Sequence, residues 1–114
     1  FHQNAHLAAE AARCAGDQDK YRQMHDKLFE MQTAWGESTT AKTIFSGYAR
    51  SLGLDAATFD QCLTGGKYKA DVDEDLALAQ KIGASGTPTF YINGRPIVGA
   101  QPFSAFKTAI DAEL

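Results

Sequence analysis

The nine residues Gly86-Thr87-Pro88-Thr89-Phe90-Tyr91-Ile92-Asn93-Gly94 constrain this chain more than any other stretch. Phe90, Tyr91 and Ile92 are an unbroken run of apolar residues that favour strands. Asn93-Gly94 supplies two residues that tolerate positive φ, as a type I′ hairpin turn requires. Arg95 to Val98 is then the returning strand, and Gly99 ends it. Side chains alternate between the faces of a strand, so a run without polar alternation predicts burial on both faces. Thr87-Pro88 precedes the first strand, where a proline without an N–H loses no ladder bond. An X-Pro bond turns cis at a cost of only about 0.5–1 kcal/mol. Both a cis turn and a trans proline in an ordinary loop therefore fit the residues.

The residues ahead of this stretch read as helices. Asn4 is placed to cap a first helix from Ala5 to Ala15, with Gly16 ending it and Leu7, Ala11 and Cys14 on one stripe. Asp17 or Asp19 opens a second helix to about Gln32, in which Tyr21, Met24, Leu28 and Met31 share a face. Thr33 to Thr39, with Trp35, reads as a loop. Thr40 caps a third helix with Ile44, Phe45, Tyr48, Ala49 and Leu52 buried, and Gly53 stops it. Asp55 caps a short fourth, and Leu54 and Phe59 are spaced for a hydrophobic staple. Gly65-Gly66 breaks the chain before a fifth helix, Lys67 to Ile82, striped by Tyr68, Val72, Leu76, Ala79 and Ile82. After the hairpin, Pro102 stands at the first position of a last helix with Phe103, Phe106 and Ile110 on its apolar face. The expectation is six helices and one hairpin.

Two strands alone are marginal in water. The last helix can cover one face of the hairpin. The open edge and the other face call for more strands, from a second copy of the chain or from an associated segment.

Bulk properties exclude several classes. With 114 residues the chain is one domain at most, and its 44% hydrophobic and 22% charged content is that of a globular protein. A net charge of −3, with the basic residues scattered, argues against nucleic acid or an anionic membrane as partner. No apolar stretch approaches the ~18 residues of a membrane span. Asp71-x-Asp73-x-Asp75 begins like a calcium loop, but Leu76 and Ile82 stand where glycine and glutamate are needed. That run reads as the solvated face of a helix. His2 and His6 stand four apart with Cys14 further on, a spacing that does not force metal ligands to converge, and no metal or cofactor is expected. His25, one turn from Tyr21 and one from Phe29, reads as a packed, hydrogen-bonded histidine.

Gly86-Thr87-Pro88-Thr89-Phe90, followed by Asn93-Gly94 and Gly99-Ala100-Gln101-Pro102, resembles the cis-proline segment of DsbA-like thiol-disulfide oxidoreductases of the thioredoxin superfamily. Ala11-Ala12-Arg13-Cys14-Ala15, Met24 to Phe29, and Leu52-Gly53-Leu54-Asp55 with Phe59 and Cys62-Leu63 are similar to the helical insertion of that family. The resemblance covers nearly the whole chain. It implies an α/β fold, thioredoxin-like and of DsbA type, but incomplete. Residues 1–83 would be the helical insertion, and 84–114 the cis-proline loop, hairpin and last helix of one domain. Gly86, Thr87 and Pro88 would bind substrate. The partners implied are unfolded or thiol-containing proteins, in the periplasm or cell envelope.

The chain departs from the family's pattern in its cysteines. It has Cys14 and Cys62 and no Cys-x-x-Cys. In the family that motif precedes the helical insertion, so the expectation is a redox motif outside this chain and no catalytic residue within it. Cys14 and Cys62 lie on apolar stripes and fit either a structural disulfide or two buried thiols. Two other functions stay open. One is a non-catalytic thioredoxin-like module for binding or dimerisation. The other is a relative of the kappa-type glutathione transferases and isomerases.

Overall fold

A computed structural model describes residues 2–114. Phe1-His2-Gln3 reads as a loop in the sequence, and its first residue falls outside the described residues. Seven helices and one hairpin follow in order: α1 Ala5–Gly16, α2 Tyr21–Glu30, α3 Gln32–Trp35, α4 Ala41–Ser51, α5 Ala56–Thr64, α6 Lys69–Lys81, β1 Thr89–Ile92, β2 Arg95–Val98 and α7 Phe103–Ala112. The chain forms two compact units, one ending at Glu74 and the other running from Asp75 to Leu114, so the division falls inside α6.

The first unit is helical. Ala8, Ala11, Ala12 and Ala15 make a buried stripe of small side chains on α1, which lets neighbouring backbones approach closely. Met24 and Leu28 of α2, Phe45 and Ala49 of α4, and Phe59 and Leu63 of α5 complete the core with Leu54. Leu54 and Phe59 are both buried, as a staple across the start of α5 requires. Cys14 and Cys62 are joined by a disulfide that ties α1 to α5.

Trp35 departs from its expected loop. It closes the one-turn helix α3 and is 6% exposed. Its indole N–H donates to the Leu28 carbonyl at 2.8 Å, and its ring meets Phe45 edge-on with centroids 5.4 Å apart. Met31 breaks α2 from α3, where one helix to Gln32 was expected. Asn4 stands at the N-terminus of α1 without capping it. Its side-chain amide instead donates to the carbonyls of Trp35, Gly36 and Ser38, so it fastens the Trp35 turn to α1. Thr40 and Asp55 also occupy N-cap positions without a side-chain cap bond.

Helix endings share one device. At the end of α4 the Leu54 N–H bonds the Ala49 carbonyl and the Gly53 N–H bonds that of Arg50, with Gly53 at φ 80°. This is a Schellman turn, which needs a left-handed residue that glycine adopts without strain. Gly66 and Gly83 close α5 and α6 in the same way. At the end of α1 the left-handed residue is Asp19, at φ 63°, and the expected terminator Gly16 lies inside the helix. Asp19 consequently opens no second helix, and Lys20 takes the N-cap position of α2.

The second unit is built differently. β1 and β2 pair antiparallel in the register Thr89–Val98, Phe90–Ile97, Tyr91–Pro96 and Ile92–Arg95. Asn93 and Gly94 have φ of 49° and 84°, as a type I′ turn demands. The expected burial on both faces is absent: Phe90, Tyr91 and Val98 are 41%, 38% and 51% exposed. Within this unit α7 meets one face, through an edge-to-face contact of Phe106 with Phe90 at 4.9 Å. Phe103, expected on the packed face of α7, is exposed, as are Leu76 and Ile82 of the expected α6 stripe. No described residue from Asp75 onward is fully buried. Forty residues, made of the end of α6, a hairpin and one helix on one side of it, cannot enclose a core.

Two stability measurements test this account. Asp19→Gly removes a left-handed aspartate and should stabilise the chain by about 1 kcal/mol in urea unfolding. Reducing the disulfide frees a 48-residue loop and should cost about 2–4 kcal/mol by the same method.

Candidate functional site

The residues singled out by sequence fall in two places. Gly86, Thr87 and Pro88 lead into β1 in the second unit, and Cys14 and Cys62 are bonded to each other in the first.

The Thr87–Pro88 peptide bond is cis. The Pro88 carbonyl accepts from the Gly99 N–H at 2.7 Å. The Thr89 hydroxyl donates back to the Gly86 carbonyl at 2.6 Å, a side-chain bond three residues long that pins the bend. Gln101 donates from its side chain to the Val98 carbonyl at 3.0 Å, and its N–H bonds the Gly99 carbonyl at 3.0 Å. The Tyr91 hydroxyl donates to the Ile82 carbonyl at 2.7 Å, which fastens the loop's entry. Thr89, Tyr91 and Gln101 were not singled out as site residues from sequence. Thr89 carried the one local signal, a hydroxyl three residues beyond a glycine in a turn-rich stretch.

Register decides which backbone groups point outward. A two-residue hairpin loop is closed by a hydrogen-bonded pair, here Ile92 and Arg95. Alternation makes Phe90–Ile97 the next bonded pair, and the Gly99–Pro88 bond continues the pattern. Thr89 and Tyr91 therefore aim their N–H and C=O groups away from β2. Pro96, opposite Tyr91, aims its nitrogen outward on the β2 side, where its missing N–H costs the hairpin nothing. Thr87 is exposed, and among the described residues its backbone N–H and C=O have no hydrogen-bond partner. The segment from Thr87 to Tyr91 thus offers an unpaired edge of extended backbone.

Cys14 and Cys62 offer no thiol while bonded. Cys14 is 1% exposed and Cys62 half-buried. Asp17 lies beside Cys62, with its Oδ2 3.9 Å from Sγ, but a disulfide sulfur carries no proton to donate. The partners of Asp17 are Lys67, whose Nζ donates at 2.7 Å, and the Tyr68 hydroxyl. The Lys67 bond first, and then the Tyr68 bond, hold the Asp17 carboxyl below the ordinary aspartate range. His25 donates to the Asp26 carboxylate at 2.9 Å and lies between the exposed rings of Tyr21 and Phe29, so it is hydrogen-bonded but only half-buried. Among the described residues, no three His, Cys, Asp or Glu side chains are grouped to hold a metal.

Residues 1–111 match the DSBA-like thioredoxin domain family. The chain belongs to that family, and its fold is α/β and thioredoxin-like. It is 38% identical over 109 residues to a protein of Salinispora arenicola named Na(+)/H(+) antiporter NhaA 1, covering 96% of this chain and 16% of that one. It is 28% identical over 108 residues to a putative protein-disulfide oxidoreductase of Rickettsia conorii, covering 94% and 39%. It is 27% identical over 99 residues to disulfide bond formation protein D of Bacillus subtilis, covering 86% and 45%. The chain thus spans less than half the length of each of these relatives. No solved structure matches it. Among the described residues, no helix is long and apolar enough to cross a membrane.

The Asp17 cluster gives a pH test. A lowered carboxylate pKa stabilises the fold above the ordinary aspartate value, and that stability is lost as pH falls through the lowered value. Asp17→Asn should therefore destabilise the chain above about pH 4. The difference from wild type should shrink steadily on further acidification, read as urea midpoints at each pH.

Proposed function

We propose that Gly86, Thr87 and Pro88 are the substrate-facing edge of a DsbA-like protein thiol-disulfide oxidoreductase. Its substrates are unfolded or thiol-bearing proteins outside the cytoplasm, in the periplasm or cell envelope. The observation that carries this reading is the unpaired backbone of Thr87, exposed at the head of a strand whose outer N–H and C=O groups also point away from β2. An extended peptide can add to such an edge as a further strand, held by main-chain bonds that read no sequence. This suits an enzyme that must accept many unfolded chains.

The chemistry is thiol-disulfide exchange. A thiolate attacks one sulfur of a disulfide and forms a new S–S bond to it, giving a mixed disulfide, while the old S–S bond breaks and its other sulfur leaves as a thiolate. Cys14 and Cys62 are bonded to each other and far apart in sequence, and we assign them a structural role. A Cys-x-x-Cys pair outside these 114 residues supplies the reacting sulfurs. In this reading residues 1–83 are the helical insertion and 84–114 the cis-proline loop, hairpin and last helix of one thioredoxin-type domain. Its further strands come from elsewhere in a longer polypeptide or from a second copy of the chain. The same open edge favours a second reading, a module that binds peptides or dimerises without redox chemistry.

Both arms of the proposal can be measured. Titrating the labelled chain with an extended, cysteine-bearing peptide should shift the backbone amides of Thr87, Thr89 and Tyr91. Thr87→Pro removes one donor and should weaken binding by up to about tenfold. Shifts confined to residues before Asp75 would overturn the assignment. The chain by itself should not reduce insulin disulfides, and turnover would show that the reacting sulfurs lie within it.

A further inference from the structure

His6, on α1, is held at both ring nitrogens by carboxylates. Its Nδ1 lies 3.0 Å from Glu10 Oε2, one turn along the same helix, and its Nε2 lies 2.6 Å from Asp73 Oδ1 on α6. The far oxygen of Asp73 accepts from Lys69 Nζ at 3.0 Å. Among the described residues, the charged groups bonded to the ring are Glu10 from α1 and Asp73 from α6, with Lys69 behind Asp73. All four residues belong to the first unit.

A neutral imidazole has one N–H and cannot donate to two carboxylates. The two contacts together therefore require the doubly protonated ring. The two carboxylates are also unlike. The Glu10 side chain is 8% exposed and has no easy access to water, whereas that of Asp73 is 48% exposed. When the ring loses a proton, the remaining N–H stays on Nδ1 with buried Glu10, because an unpaired buried carboxylate is the costlier loss. The Nε2 lone pair then faces Asp73, which turns out to solvent.

We propose that His6 is a proton-operated latch that clips the first half of α6 onto α1 when charged and releases it when neutral. Val72 is the buried side chain of α6, and Tyr68, ahead of it, is tied to Asp17. The Asp73 bond first, opposed by burial and aided by Glu10, holds His6 above the ordinary histidine value. The His6 bond first, and then that of Lys69, holds Asp73 below the ordinary aspartate value. A raised histidine contributes stability below its unfolded pKa that is lost as pH rises through the folded one. A lowered aspartate contributes stability that is lost as pH falls through its folded value. The latch is thus closed in mildly acidic solution and opens toward alkaline pH.

The intact chain tests this directly. Nitrogen-15 spectra of the His6 ring across a pH series should show a midpoint above the ordinary histidine value and a neutral form protonated on Nδ1. Amide exchange at Val72, Asp73 and Glu74, corrected for its intrinsic pH dependence, should lose roughly fivefold or more of its protection across the same midpoint. Asp73→Asn should lower the midpoint and leave these amides weakly protected on both sides of it. His6→Gln should abolish the step. A His6 midpoint at or below the ordinary value, a neutral ring protonated on Nε2, or a protection step that persists in His6→Gln would each overturn the latch. The wild-type titration decides the matter even if a variant fails to fold.

Discussion

The close approach of α1 to its neighbours is the constraint on which the first unit depends. Four buried alanines keep the contact face of α1 low, and the bond from Cys14 to Cys62 fixes α5 against it. A larger side chain at Ala11 or Ala15, both fully buried, would force α1 away from its neighbours. Around this contact Met24, Phe45 and Phe59 bury completely, and Trp35 joins them, edge-on to Phe45 and bonded to the Leu28 carbonyl. The helices therefore need no strand to complete their core. The two cysteines of this unit are bonded to each other.

The second unit has the opposite character. It carries the residues proposed to meet substrate, yet none of its described residues is fully buried. Its order comes from a tight turn, one ring-on-ring contact, the Arg95–Glu113 pair at 2.8 Å and the bonds that pin Gly86 and Pro88. Such a hairpin is stable when further strands or a peptide add to its edge. The property that makes it marginal alone, an unpaired edge, is the property on which its proposed role as a receptor for extended chains rests.

Much of this was legible in the sequence. Asn93-Gly94 fixed the hairpin and its register, because few residue pairs adopt two successive positive φ angles. The glycines at 53, 66 and 83 marked helix ends for the same reason. Other features depended on contacts between residues distant in sequence. Asn4 looked like a cap and is a clamp on three carbonyls more than thirty residues away. Trp35 sat in a polar, glycine-flanked stretch, and its burial follows from where α4 places Phe45. Asp73 looked like part of a solvated acidic face until its partner His6, 67 residues earlier, was located. The apolar hairpin misled in another way. Its composition reports the burial such strands are built for, and this unit alone does not provide it.

Residue-resolved amide hydrogen exchange on the chain alone tests most directly whether the proposed receptor edge lacks a core of its own. The account predicts strong, cooperative protection for the helices built around Phe45 and Phe59. It predicts far weaker protection at Phe90, Ile92 and Ile97, with Thr89 and Tyr91 the least protected of the hairpin. Hairpin amides as slow as those of α4, with Thr89 and Tyr91 included, would contradict it.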